Sequence, residues 1–231
     1  MLRSNGVLLS SDVCVLFDLD DTLFAERDYF RSVFETFMDE TELGSEAVQT
    51  YLNQFLDIRK NNKDIFSHFL HEHGLYTKQN HQLLFDIYRS VSTQLSPHDG
   101  VEYLINELLE TQVAIAVLTN GVPEAQNNKW FSLQFERKEK VVFYAARELF
   151  GDKPNMSTYE AWRTTQKVEW SGVIAVGDKY DNDLAYPLEM GARAVLVHPD
   201  KHKSQVSNEL FKQAIDFPSA AEHILSLVKK V

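Results

Sequence analysis

Three aspartates crowd the stretch Phe17-Asp18-Leu19-Asp20-Asp21-Thr22-Leu23. They follow directly on Val13-Cys14-Val15-Leu16, an unbroken apolar run that reads as a buried parallel strand. Carboxylates repel one another, and each costs several kcal/mol to desolvate without a partner. A buried strand that ends this way most simply ends around a cation. The carboxyl ends of strands are also where open α/β sheets bind their ligands. The plainer alternative is an acidic strand exit that is merely solvated.

Other residues able to do chemistry stand at the ends of further apolar runs. Thr119-Asn120 follows Val113–Leu118, and Gly177-Asp178 follows Val173–Val176, with Asp183 shortly after. Lys153 sits in a polar loop with Gly151 and Pro154. Singly, each has an ordinary reading: a helix cap for Thr119, a solvated cation for Lys153, a turn residue for Asp178. Their order, and their common placement at strand ends, makes a shared crevice the better explanation.

The elements that must position them are legible as a change of period. Continuous apolar runs at Val13–Leu16, Val113–Leu118, Val141–Phe143, Val173–Val176 and Ala194–Val197 read as five buried strands. Helical spacing links Tyr29, Phe30, Val33, Phe34, Phe37 and Met38, and recurs in three later groups up to Val91. Residues 24–95 therefore read as a small helical bundle whose aromatic stripes are core. Helices are expected near 101–109, after Pro123, near 157–167 and over 181–190. From about 204 the tail reads as one or two surface helices. Strands alternating with helices predict an α/β fold with a doubly wound parallel sheet. The expected domains are a sheet core, residues 1–22 and 97–231, and an inserted helical cap, residues 23–96.

Composition bounds the partners. The chain has 231 residues, enough for a full core, with a net charge of −11. That acidity disfavours nucleic acid and anionic membranes, yet one lysine and one metal ion can invert the sign locally for a small phosphorylated substrate. The single cysteine, Cys14, excludes an intramolecular disulfide and reads as a buried, inert thiol. No stretch approaches the ~20 apolar residues of a membrane span, and the N-terminus is weak as a signal peptide. A cytoplasmic protein is expected.

Taken together, the four groups resemble the motifs of the haloacid dehalogenase-like (HAD) superfamily of hydrolases, mostly Mg2+-dependent phosphatases. Asp18-Leu19-Asp20-Asp21-Thr22-Leu23 matches the first motif, Thr119-Asn120-Gly121 the second, Lys153-Pro154 the third, and Gly177-Asp178 with Asn182-Asp183 the fourth. Gln126 and Lys129 also fit the family's look. The resemblance covers nearly the whole chain. It implies a Rossmann-like core, with the helical insertion as the small cap of a branch holding many small-metabolite phosphatases.

The resemblance also implies roles. Asp18 is expected as nucleophile, forming an aspartyl-phosphate, and Asp20 as general acid and then base. Thr119, Asn120 and Lys153 are expected to hold the phosphoryl oxygens. Mg2+ is the expected cofactor, with Asp18, the Asp20 carbonyl and Asp178 as ligands and Asp183 beside them. Asp21 is expected only in a turn or helix start. In the cap, Arg59 and Lys63, within the run Arg59–Lys63, are candidate substrate contacts, with a solvated turn as the alternative. His68, His71 and His73 read as surface and interhelix residues. The expected activity is a phosphatase acting on a small sugar phosphate or nucleotide, as monomer or homodimer. A phosphomutase, a 2-haloacid dehalogenase and a catalytically silent binding protein are the alternatives. Asp20 favours the phosphatase over the dehalogenase, because a leaving halide needs no proton.

Overall fold

Six short strands join into one parallel sheet. The computed structural model describes residues 12–43, 48–59, 64–198 and 208–230. In chain order it holds β1 (Cys14–Phe17), α1 (Glu26–Glu40), α2 (Val48–Arg59), α3 (Ile65–Glu72), α4 (Lys78–Ser90), α5 (Val101–Glu110) and β2 (Ala114–Thr119). There follow α6 (Pro123–Ser132), β3 (Val142–Ala145), α7 (Ala146–Leu149), α8 (Met156–Gln166) and β4 (Val173–Gly177). A π-helical turn (Tyr180–Leu184), α9 (Ala185–Glu189), β5 (Arg193–Val197), β6 (Phe211–Ala214) and α10 (Phe217–Val228) complete it.

The strand order is β3-β2-β1-β4-β5-β6, with every pairing parallel. The last residue of β1, Phe17, lies opposite Val117 on one side and Val176 on the other. The sheet grows one way from β1 through β2 and the other way through β4. Its ligand crevice therefore opens between the carboxyl ends of β1 and β4. Side chains alternate across β1. Cys14 and Leu16 pack with Tyr159 and Trp162 of α8 on one face, while Phe17 stacks on Phe217 of α10, centroids 6.4 Å apart, on the other. Covered on both faces, β1 has no exposed position, which is why its sequence shows no polar alternation. Cys14 is fully buried, and burial pushes its thiol well up from the ordinary range.

One element differs from the sequence reading. Phe211–Ala214, expected within surface helices, is a sixth strand that pairs with β5 from Ala194↔Phe211 to Val197↔Ala214. The stretch is too short to display either period, and its two buried residues, Phe211 and Ala214, sit at a helix-like spacing of three. The helix of the tail is α10, whose N-cap Asp216 accepts from the Ser219 N–H at 2.9 Å. Among the described residues, no helix is long and apolar enough to cross a membrane.

The molecule divides into two compact units. One contains the sheet: the described residues up to Phe24, Ser96–Pro123, and those from Leu133 on. The other is Ala25–Leu95 with Glu124–Ser132. In this second unit α1 to α4 form the expected bundle around an aromatic core. Phe30 and Phe34 of α1 meet Phe55 of α2 at 4.9 and 5.0 Å, and Phe34 meets Phe69 of α3 at 5.0 Å. Such pairs contribute roughly 0.5–1.5 kcal/mol each beyond burial. His68 and His71 are exposed, and His71 stacks on Tyr76.

The second unit also takes in α6, which the sequence reading placed with the sheet. The tie is polar and buried. Lys129 Nζ stands 2.6 Å from Glu26 Oε1, both side chains at most 2% exposed, with the ammonium 5.2 Å from the Tyr29 ring centroid. Asn128 donates to the Tyr29 hydroxyl at 3.0 Å and to the Val91 carbonyl at 2.8 Å.

Candidate active site

The site is built by extending β1 one residue past its last pair. The Asp18 N–H donates to the Val176 carbonyl at 2.8 Å, so the β1–β4 pairing runs on and carries the Asp18 carboxylate to the head of the crevice. The chain then turns sharply, with the Leu23 N–H on the Leu19 carbonyl at 3.0 Å. Asp21 takes up the bend with φ 57°, a left-handed conformation that aspartate tolerates better than most residues. This is the turn role expected for it. Asp20 bridges to Phe24 and is 8% exposed.

Lys153 reaches the same point from the loop between α7 and α8. Its backbone is gripped on both sides by one side chain. Asn120 Nδ2 donates to the Lys153 carbonyl at 2.8 Å, and the Lys153 N–H donates to Asn120 Oδ1 at 2.7 Å. So fixed, the ammonium bridges two acids, 2.7 Å from Asp18 Oδ1 and 2.7 Å from Asp183 Oδ1. Thr119, at the end of β2, is buried beside Asn120.

Asp183 comes from the π-helical turn after β4. Its other oxygen accepts from the Lys179 N–H at 3.1 Å, and the turn is pinned from outside by the Tyr159 hydroxyl, which donates to the Asn182 carbonyl at 2.7 Å. Close approach demands Gly177: a Cβ there would lie 2.5 Å from the Asp183 Cβ. A small cavity lined by Leu16, Leu118, Tyr159 and Val176 abuts Asp18, Lys153 and Asp183. Apolar walls of this kind keep the local dielectric low, which strengthens every charge interaction in the site.

The acids outnumber the cations that serve them. Asp18, Asp178 and Asp183 each bring a carboxylate oxygen within 4.8 Å of the others. Burial raises the Asp18 carboxyl above the ordinary aspartate range; Lys153 opposes this and Asp183 adds to it. Burial likewise pushes Asp178 up to about 7, against Lys179 and with help from Asp18 and Asp183. Burial opposes the charge on Lys153, yet Asp18 and Asp183 hold its ammonium well above the usual lysine range. A cluster of oxygen donors left with surplus negative charge fits a hard divalent cation such as Mg2+.

The structure thus brings Asp18, Lys153, Asp178 and Asp183 together, with Asp20, Thr119 and Asn120 on the adjoining strand ends. Arg59 is the last residue of α2, but its side chain and the whole of Lys63 lie outside the described residues. Sequence reasoning passed over Tyr159, which looks like any core aromatic in an amphipathic helix, and Lys179, whose signal was a cation placed directly after Asp178.

A family profile described as haloacid dehalogenase-like hydrolase matches residues 15–197, from β1 through β5. The chain belongs to this family. Among solved structures, this HAD-like hydrolase is similar to YfnB, a HAD hydrolase of Bacillus subtilis described bound to magnesium and with interdomain movement. The two share 16% identity over 94% of this chain and 98% of the other, at a TM-score of 0.68. It is similar also to a 2-haloacid dehalogenase of Pseudomonas syringae pv. Tomato DC3000, with 20% identity, 93% and 98% coverage and a TM-score of 0.56. A HAD phosphatase of Thermococcus onnurineus matches at 16% identity, 92% and 97% coverage and 0.55. At these identities the likeness is one of fold. A search of curated protein sequences returned no match.

Proposed function

We propose that this HAD-like hydrolase is a Mg2+-dependent phosphatase acting on a small phosphorylated metabolite, of the sugar phosphate or nucleotide class, through an aspartyl-phosphate on Asp18. The observation that carries the reading is the cluster of three carboxylates around Lys153, with Asp20 two residues beyond Asp18. Expulsion of a halide needs neither a proton donor at Asp20 nor a crowd of acids able to bind a cation. Transfer of a phosphoryl group from an ester needs both.

In the first half-reaction an Asp18 oxygen attacks phosphorus while the ester P–O bond breaks, and Asp20 gives its proton to the leaving alkoxide. In the second, Asp20 takes a proton from water as the water oxygen attacks phosphorus. The bond to Asp18 breaks, and phosphate and free carboxylate are restored. Lys153 and the Thr119 hydroxyl donate to the equatorial oxygens of the transferring phosphoryl group. The Asn120 side chain is committed to the Lys153 backbone, which leaves its N–H as the group for a phosphoryl oxygen. Asp18, the Asp20 carbonyl and Asp178 would hold Mg2+, with Asp183 orienting Lys153 beside them. When bound, Mg2+ supplies positive charge that lets an anionic nucleophile approach an anionic phosphate.

The test is phosphate release from a panel of sugar phosphates, nucleotides and phospho-acids, with and without Mg2+. Release that requires Mg2+ and is abolished in a folded Asp18→Asn variant is expected. Phosphate returned to the sugar without release would favour a phosphomutase, and halide release from a 2-haloacid a dehalogenase. Activity unchanged in Asp18→Asn would overturn the proposal.

A further inference from the structure

We propose that Lys179 is an exchangeable counter-ion of the acid cluster, holding Asp178 until a divalent cation displaces it. The two lysines of the site are placed very differently. The Lys153 side chain is 3% exposed and locked between Asp18 and Asp183. The Lys179 side chain is 51% exposed, and its ammonium lies 3.1 Å from Asp178 Oδ2. Asp178, 14% exposed, is thus served from the solvent side by the residue that follows it.

The backbone of Lys179 is fixed, while its side chain is half in water. Its N–H donates to Asp183 Oδ2 at 3.1 Å and its carbonyl accepts from the Asp183 N–H at 2.9 Å. An ion pair with one partner half in water contributes little and is readily exchanged. A divalent cation among the same three carboxylates competes with the ammonium for Asp178 and repels it as well. Lys179 then sets how much Mg2+ the site requires: it neutralises the acids when the ion is scarce and opposes the ion's entry.

This inference rests on the reading that the carboxylates bind Mg2+, and the experiment separates the two. Mg2+ binding is measured by titration calorimetry for wild type, Lys179→Met and Lys179→Arg. Lys179→Met is expected to lower the Kd for Mg2+ by about three- to fivefold, the size of an exposed ion pair, with Lys179→Arg close to wild type. In wild type carrying 13C-labelled lysine, the Lys179 ε-methylene signal, assigned by its loss in Lys179→Met, should move towards the free-lysine position as Mg2+ is added. A wild type that binds Mg2+ while Lys179→Met binds no more tightly, or whose Lys179 signal stays still, overturns the counter-ion role alone. A wild type that binds no Mg2+ overturns both.

Discussion

Asp20 is the residue on which the choice of chemistry turns. It lies two positions past the proposed nucleophile, in a turn whose backbone bridges to Phe24, and is almost wholly buried. A carboxyl that shuttles one proton typically contributes 10²–10⁴-fold. Asp20→Asn should lower kcat by about that factor on an alkyl phosphate and by less on an aryl phosphate, whose leaving group needs little protonation. Equal losses on both would remove Asp20 from the proton path. The residues gathered at the crevice were legible in the sequence: Asp18, Thr119 and Asp178 each follow an apolar run, and Lys153, in a polar loop, stood out by its place in the order of the four motifs. Lys179 and Tyr159 were not. A lysine in a polar loop and a tyrosine in an amphipathic helix acquire meaning only from what they touch, Asp178 and the Asn182 carbonyl.

At the scale of elements, the turn after β4 carries the tightest tolerance. Gly177→Ala would drive a methyl group into the Asp183 side chain, 2.5 Å away at its nearest atom. The turn must shift, at a cost of about 1–3 kcal/mol. Because the displaced group belongs to the acid cluster, Mg2+ affinity should fall as well, measured by calorimetry; a variant with wild-type melting and Mg2+ affinity would contradict this packing. Behind the turn, Glu160 of α8 gathers the Trp170 indole N–H at 2.7 Å, the Tyr186 hydroxyl at 3.1 Å and the Arg163 guanidinium at 3.0 Å. The Trp170 hydrogen bond first, then Arg163 and Tyr186, hold its carboxyl below the ordinary glutamate range. A lowered folded value means that the stabilisation is present above the unfolded value of about 4.3 and is lost as pH falls through the folded one. Glu160→Gln should therefore cost about 1 kcal/mol in urea unfolding at neutral pH, discounted for partial exposure. The gap should narrow as pH falls below the ordinary glutamate range; a constant gap would assign the loss to shape rather than charge. The helices, apart from the single turn α7, and five strands were legible from period and apolar run length. β6 was not, since four edge residues spaced like a helix turn carry no distinguishing period.

At the scale of the molecule, each of the two units has its own means of cohesion. The sheet is centred on β1 and β4, apolar strands buried on both faces. The helical unit adds a buried ion pair to its aromatic core, and breaking such a pair from one side typically costs 3–5 kcal/mol. Lys129→Met should show a loss of about that size in urea unfolding, and Lys129→Met with Glu26→Gln should recover part of it, since no lone charge is then left buried. Single and double variants of equal stability would show the pair to be uncoupled. The acid balance of the whole chain, −11, persists at the crevice, where Lys153 is held firmly charged between its acids. There the central claim can be read directly. Wild type mixed with a phosphatase substrate and Mg2+, quenched in acid during turnover and digested, should yield the peptide containing Asp18 heavier by one phosphoryl group, and Asp18→Asn should yield none. An unmodified Asp18 peptide, with phosphate released at the same time, would contradict the account.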